Sequence, residues 1–297
     1  MKILVLGGTG YLGTNIVRAL SECGHKLTCI VRPSSNYGRI SAIPDVRLIS
    51  NDISEIEAEI STNSYDWVIN SACTYRQNAS LYMDMMEANF IFPVKVLNLA
   101  AKHHVPNFMT MGTTLPGSFN MYSFTKFKLS ETGKYFSEHE GLINFVELRL
   151  EMFYGSYPGG TDEPEGRFIR SSILKLCRNE PLLLTAGTQK RDVVHVEDIA
   201  GIVQKVIHAD FRGYRVRPVG TGEHHSIREI MEFLHMVINS RSRLEFGAIP
   251  SREGEPDTLA DTSWYKEVGC KLKHSYFGGL EAECLKVKQN ILGGINL

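Results

Sequence analysis

Met1-Lys-Ile-Leu-Val-Leu-Gly-Gly-Thr-Gly-Tyr-Leu-Gly13 reads as a strand, a glycine turn and the first turn of a helix. Ile3 to Leu6 is a continuous apolar run, the pattern of a strand buried on both faces of a parallel sheet. Gly7, Gly10 and Gly13 follow three apart, and from Tyr11 to Leu20 apolar residues recur at helical spacing. Such a unit seats a pyrophosphate: glycines let the backbone approach the ligand, and the helix N-terminus presents N–H groups and a positive dipole end. The spacing is Gly-x-x-Gly-x-x-Gly, not the commoner Gly-x-Gly-x-x-Gly. A glycine turn alone is a weak signal, and it gains meaning from opening an α/β pattern. Gly7, Thr9, Gly10, Tyr11, Leu12 and Gly13 are its candidate cofactor contacts.

Working outward, Lys26 to Val31 reads as a second strand, and its end bears on the choice of cofactor. An acidic residue about 20 positions past the turn favours NAD, whereas an Arg accommodates the 2′-phosphate of NADP. Here the strand runs into Arg32-Pro-Ser-Ser35, with no carboxylate. Arg32, with Ser34 or Ser35, is read as a phosphate site, which favours NADP(H) over NAD(H); the alternative is a solvent-facing Arg. Val46 to Ser50 is a third strand, followed by Asn51-Asp52-Ile53, where Asp52 either caps the next helix or accepts from an adenine amino group. Trp67 to Asn70 is a fourth strand, and the small residues Ser71, Ala72 and Cys73 after it let a cofactor pass close to the backbone. A long helical pattern covers Leu81 to Lys102, and Phe108 to Met111 is a short fifth strand.

The chemistry falls between Met111 and Lys126. Asn120 is a helix N-cap candidate, and Tyr122 and Lys126, four apart, project from one helix face. An ammonium beside a phenol stabilises the phenolate, which makes tyrosine a usable proton donor and acceptor near neutrality. Thr113, at the end of the fifth strand, is placed to hydrogen-bond the same substrate oxygen. A Tyr-x-x-x-Lys match is cheap by itself, since surface pairs of this kind are common.

Composition narrows the class. The 297 residues are 43% hydrophobic with a formal charge of −1, ample for a core and without the basic excess of a nucleic-acid or anionic-membrane binder. No apolar run approaches a membrane span, and the start does not read as a signal peptide. Six cysteines are scattered without a Cys-x-x-Cys pair, as in a reduced cytoplasmic protein. His103-His104 and His224-His225 lack ligand spacing, so no metal site is expected.

The ordered set Gly7 to Gly13, Asn51-Asp52-Ile53, Asn89, Thr113, Tyr122 to Lys126 and Phe153-Tyr-Gly155 resembles an extended short-chain dehydrogenase/reductase, the NAD-dependent epimerase/dehydratase family. Lys190 to Ala200, Val219 to Ile230, Arg252 to Asp257 and Ala260-Asp-Thr262 continue the match in order. The resemblance implies an α/β fold: a Rossmann-type doubly wound parallel sheet with a smaller C-terminal α/β substrate domain. It divides the chain into a dinucleotide-binding domain, 1–155 with 186–208 returning to it, and a nucleotide-sugar-binding domain, 156–185 with 209–297. It implies Thr113, Tyr122 and Lys126 as catalytic residues, and adds Asn89, Met111, Tyr122 and Lys126 to the cofactor contacts with Asp52, Ile53 and Ser71 to Cys73. Arg76, Thr113, Thr114, Arg191 and Arg252 fall to the substrate, the last two to its diphosphate. A cytoplasmic homodimer packed through helices is also implied; Phe124, Phe127, Tyr135 and Phe136 on the tyrosine helix permit this, and core burial explains them as well.

Ile69 to Arg76, Glu87 to Leu97, Gly112 to Pro116 and Leu148 to Gly155 resemble the reductases of this family that use NADPH on the C4 ketone of a CDP-linked 4-keto-3,6-dideoxyhexose. Thr113 and Tyr122 are nine residues apart, where most extended members carry a much longer substrate loop. Thr114 and Leu115 stand where the 4,6-dehydratases have an Asp-Glu pair, which disfavours elimination. Met152 stands near an Asn that touches substrate in many relatives. In the C-terminal third, Arg167 to Arg178, Glu197 to His208 and Ser226 to Ile238 read as helices, the last with Ser226 and Glu229 as a capping box. The expectation is a nucleotide-sugar 4-ketoreductase; the rivals are a 4-epimerase with bound NAD and a non-catalytic NADP-binding regulator.

Overall fold

The computed structural model describes residues 1–75, 82–157 and 167–292. In the first half, β1 (Lys2–Leu6), α1 (Tyr11–Glu22), β2 (Lys26–Val31), α2 (Gly38–Ser41), β3 (Val46–Ser50), α3 (Ile53–Thr62) and β4 (Trp67–Asn70) alternate. Then come α4 (Tyr82–Met86), α5 (Phe92–Lys102), β5 (Asn107–Thr113), α6 (Met121–Lys134) and β6 (Asn144–Leu150). The second half adds β7 (Met152–Tyr154), α7 (Phe168–Cys177), β8 (Leu182–Leu184), β9 (Lys190–Arg191), β10 (Val193–His195) and α8 (Val196–Ile207). It closes with β11 (Tyr214–Val219), β12 (His225–Ser226), α9 (Ile227–Ile238), β13 (Leu244–Phe246) and α10 (Tyr276–Leu292).

One sheet of seven strands runs β11-β6-β5-β4-β1-β2-β3. The pairs from β6 across to β3 are parallel. Phe145 N–H bonds Gly213 O and Glu151 N–H bonds Val219 O, so β11 continues in the same sense. Ile3 to Leu6 are fully buried, as the unbroken apolar run requires. The order reverses between β1 and β4, and at such a switch point α/β sheets open a crevice beyond the strand C-termini. Leu4, Leu6, Val68, Val96, Leu97, Phe108 and Phe145 are among the residues that fill the core on one side of this sheet.

The chain divides into two compact units, one of Met1–Leu150, Ala200–Pro218 and Glu267–Gly269, the other of Glu151–Ile199, Val219–Lys266 and Cys270–Leu297. This differs from the expected division. Residues 186–199 join the second unit, because β9 pairs with β12 and β10 with β7. Residues 209–218 join the first, because β11 extends the large sheet. The second unit has its own core, in which Ile173, Leu176, Ile230, Leu234, Tyr276 and Leu280 of α7, α9 and α10 pack together.

The long helix expected over Leu81 to Lys102 is interrupted by a π-turn at Glu87–Ile91, in which Phe92 N–H bonds Glu87 O. Pro93 stands just past it and has no N–H for Asn89 O, and widening the helix here absorbs that missing bond. The expected caps form: Asn120 accepts from Ser123 N–H, and Ser226 and Glu229 close a capping box. No described helix is long and apolar enough to cross a membrane.

Candidate active site

The glycine turn is built by backbone crowding. Gly7 has φ +76, and a side chain on it would meet the backbone of Ser71 and Ala72; one on Gly13 would meet Gly7 O. The turn closes through Gly10 N–H to Gly7 O at 3.0 Å. Gly10 is the N-cap of α1 and lends no side-chain cap, so the helix end is left to backbone groups. Tyr11 and Leu12 are buried, so their side chains serve the core. Thr9 is half-buried. A cradle that a Cβ would fill, at an N-terminus without a side-chain cap, fits a dinucleotide pyrophosphate.

At the end of β2, Arg32 and Ser34 are exposed. Ser35 is spent on a local turn: its N–H bonds Arg32 O at 2.9 Å and its Oγ accepts from Arg32 N–H at 3.2 Å. Asp52 is the N-cap of α3, accepting from Ser54 N–H at 2.9 Å and Glu55 N–H at 3.2 Å. These bonds, the Ser54 hydroxyl first, hold its carboxyl below the usual range. Of its two possible roles, the structure places it in the cap. Ile53 packs against the core cluster.

The loop after β4 is pinned at almost every residue. Ser71 donates N–H and Oγ to Leu6 O at 2.9 and 2.8 Å, and Ala72 N–H bonds Asn70 Oδ1 at 3.1 Å. Asn89, fully buried in the π-turn, takes Thr74 N–H at 2.7 Å and donates to Thr74 O at 3.0 Å and Thr125 Oγ1 at 3.3 Å. With both amide hydrogens so engaged, Asn89 orders the loop. Cys73 is exposed between these ties. Arg76 lies outside the described residues.

Lys126, 3% exposed, extends from α6 to Ala72 O at 3.3 Å. Tyr122, half-buried one turn earlier, packs edge-to-face on Tyr75, ring centroids 4.7 Å apart at 77°. Thr113 ends β5 buried, its Oγ1 accepting from Leu115 N–H at 3.3 Å. Met111 is buried in the same strand. Thr114 N–H bonds Leu150 O at 3.3 Å. The short connection to α6 turns at Pro116 to Phe119 and packs Gly117 against Phe127, so Thr113 and the tyrosine helix are held without a long loop. Further along α6, Ser130 bonds the buried carboxylate of Glu147, which also holds Arg149 at 3.2 Å.

In the second unit, Arg191, expected at the substrate diphosphate, is enclosed by its own loop. It is 4% exposed, and its guanidinium donates to Lys190 O at 2.8 Å, Pro256 O at 2.6 Å and Glu255 Oε1. As placed it anchors the Glu255 to Asp257 stretch, because a guanidinium enclosed with a carboxylate and two carbonyls has its strongest partners already. Arg252, in the same loop, is exposed. Asp192 is a hub that sequence reasoning left without a role: fully buried, it accepts from Thr221 N–H, Thr221 Oγ1 and Gly222 N–H at 2.8, 2.7 and 2.9 Å. Its place beside Arg191 in the motif was the available signal.

Among the described residues, His195, Glu197 and His274 bring three metal-type donor atoms within 4.8 Å of one another. His274 Nδ1 holds Asp198 at 3.0 Å, and His195 Nδ1 lies 3.3 Å from Glu197 N–H. These bonds make the group a tie between the start of α8 and the residues before α10. His103 pairs with Glu57, and His225 with Glu223.

A dinucleotide cradle beside a Tyr-x-x-x-Lys helix defines the class. A model of the NAD dependent epimerase/dehydratase family matches residues 3–217, and the chain belongs to that family. It is an NAD(P)-dependent enzyme of the extended short-chain dehydrogenase/reductase type. It is 30% identical over 298 residues to a CDP-abequose synthase of Salmonella typhimurium, covering 96% of this chain and 97% of that one. Among solved structures it resembles the UDP-glucose 4-epimerase of Thermotoga maritima with UDP-glucose, at TM-score 0.84, 19% identity, and coverage of 98% and 100%. A UDP-glucose 4-epimerase of Stenotrophomonas maltophila, with bound NAD and formylated UDP-arabinopyranose, matches at TM-score 0.86 and 18% identity over 99% of both chains. At such identities the structural likeness is one of fold.

Proposed function

We propose that this protein reduces the C4 ketone of a nucleotide-linked 4-keto-deoxyhexose, a CDP-linked 3,6-dideoxy sugar before others, using NADPH. The observation that carries the reading is the trio on β5 and α6: Thr113 at a strand end, Tyr122 on the helix after a short turn, and buried Lys126 tied to Ala72 O. The CDP-abequose synthase likeness supports the substrate class. The absence of a carboxylate from Arg32 to Ser35 supports NADPH over NADH.

Bound NADPH would supply the hydride to C4, and Gly7 to Gly13, Ser71 to Cys73 and Lys126 would hold it. Tyr122 donates a proton to the ketone oxygen as charge develops there, and Thr113 Oγ1 donates a hydrogen bond to the same oxygen. The Lys126 ammonium stabilises the phenolate left behind. Arg252 contacts the substrate diphosphate, and Arg191 positions its loop. Six cysteines outside any disulfide accord with a reducing cytoplasm. A second copy is proposed to pack on α4 and α6, where Tyr82, Met83 and Phe124 are exposed, as is Tyr135 just past the end of α6; light scattering on wild type and a Phe124→Glu variant tests that.

The test of function is consumption of NADPH with CDP-4-keto-3,6-dideoxyglucose. Net oxidation that disappears in Tyr122→Phe while NADPH still binds supports the reductase. Interconversion of a sugar nucleotide without net NADPH loss would establish the epimerase, and binding without any turnover a regulator.

A further inference from the structure

We propose that Tyr75 is a positioning residue for Tyr122, an inference that rests on the reductase reading. Tyr75 is 50% exposed, a place where a large aromatic ring is costly to hold in one orientation. Its backbone nevertheless follows the most tightly pinned part of the loop: Thr74 is gripped at both N–H and C=O by Asn89. The same Asn89 reaches Thr125 Oγ1, which donates to Tyr122 O at 2.8 Å. Lys126 bonds Ala72 O in the same loop. Loop and helix are thus joined at Ala72, at Thr74 and through the ring pair at Tyr75, and the pair is a join made by the proton donor's own side chain. At 4.7 Å and 77° it has the edge-to-face geometry that ring quadrupoles favour. The packing limits the swing of the Tyr122 ring, so that its hydroxyl meets the ketone oxygen without a search, and misplacement of a reacting group is expensive in rate. Tyr75 touches neither substrate nor cofactor in this role.

The test compares Tyr75→Leu with Tyr75→Phe. Edge-to-face packing needs the ring and not the hydroxyl, so Y75F restores what Y75L loses. Y75L is expected to lower kcat on the order of tenfold, the upper end of what an aromatic pair contributes, with NADPH affinity unchanged. A loss under twofold in Y75L, or an equal loss in Y75F, overturns the proposal. A second readout needs no turnover. With tyrosine-selective isotope labelling, the Tyr122 ring resonances, identified by their absence in Tyr122→Phe, carry a ring-current displacement that vanishes in Y75L and persists in Y75F. If the wild type oxidises no NADPH with any 4-keto sugar nucleotide, the reductase reading falls, and the resonances still decide the ring pair.

Discussion

Replacing His195 by Gln should flatten the acid side of the protein's stability profile. His195 is 8% exposed at the end of β10, ring to ring with Tyr154 at 5.2 Å and with His274 at 4.0 Å. Burial pushes its pKa down to about 3, helped by His274 and by Lys286 and Lys273, with Asp198 opposing. A histidine depressed in the native state is protonated first in the unfolded chain, so stability rises with pH between about 3 and 6.5. The limiting slope is about 1.4 kcal/mol per pH unit, and the loss from pH 7.5 to pH 5 is about 2 kcal/mol. His274 works in the other direction. Its bond to Asp198 raises its pKa, so its contribution is complete below 6.5 and fades only as pH climbs through the raised value. Carboxylates held low, such as Asp52 and Glu229, matter below about pH 4.5. His25, whose pKa burial also lowers, adds a slope of the same sign to both proteins, so between pH 5 and 6.5 the difference between wild type and H195Q isolates His195. The assay is urea unfolding at half-unit steps in a Trp67→Phe background, where buried Trp264 reports on the second unit. Equal slopes in wild type and H195Q would refute the reasoning, whatever the absolute stabilities.

Other outcomes follow from single contacts. Gly7→Ala forces a Cβ at φ +76 against the Ala72 backbone, so NADPH-induced thermal stabilisation should vanish and the apoprotein lose about 1–2 kcal/mol from the strained backbone alone. Arg32→Glu should lower the NADPH-to-NADH affinity ratio by at least about tenfold, as expected for losing a charged hydrogen bond to a phosphate; an unchanged ratio in fluorescence titration removes Arg32 from the site. Asp52→Ala should lower stability through the lost cap and leave NADPH affinity within about twofold. A selective loss of affinity would restore the adenine contact. Cys73, exposed on the pinned loop, should react with a thiol reagent in a Cys23→Ser variant more slowly once NADPH is added, and equal rates would place the cofactor elsewhere.

How much of this was legible depended on the range of the forces involved. β2 and β4 fall where apolar runs bounded by turn residues put them, because burial on both faces leaves a local imprint. The caps at Asn120 and Ser226 were readable because donor and acceptor lie three residues apart. The π-turn was not, since it joins Pro93 to the demand that Asn89 reach Thr74 and Thr125. Nor was the burial of Arg191, whose partner Glu255 is 64 residues away. The motif marks both arginines as a diphosphate pair, yet only the fold tells which one is enclosed. Arg32 poses the converse problem. It is exposed, so packing says little about it, while the residue types from Arg32 to Ser35 bear directly on whether a 2′-phosphate is welcome. On the proposed reading, cofactor choice rests on side-chain chemistry at a strand end, and contact with the diphosphate falls to the exposed Arg252 while the enclosed Arg191 holds its loop. Each has to be tested by a substitution at its own arginine.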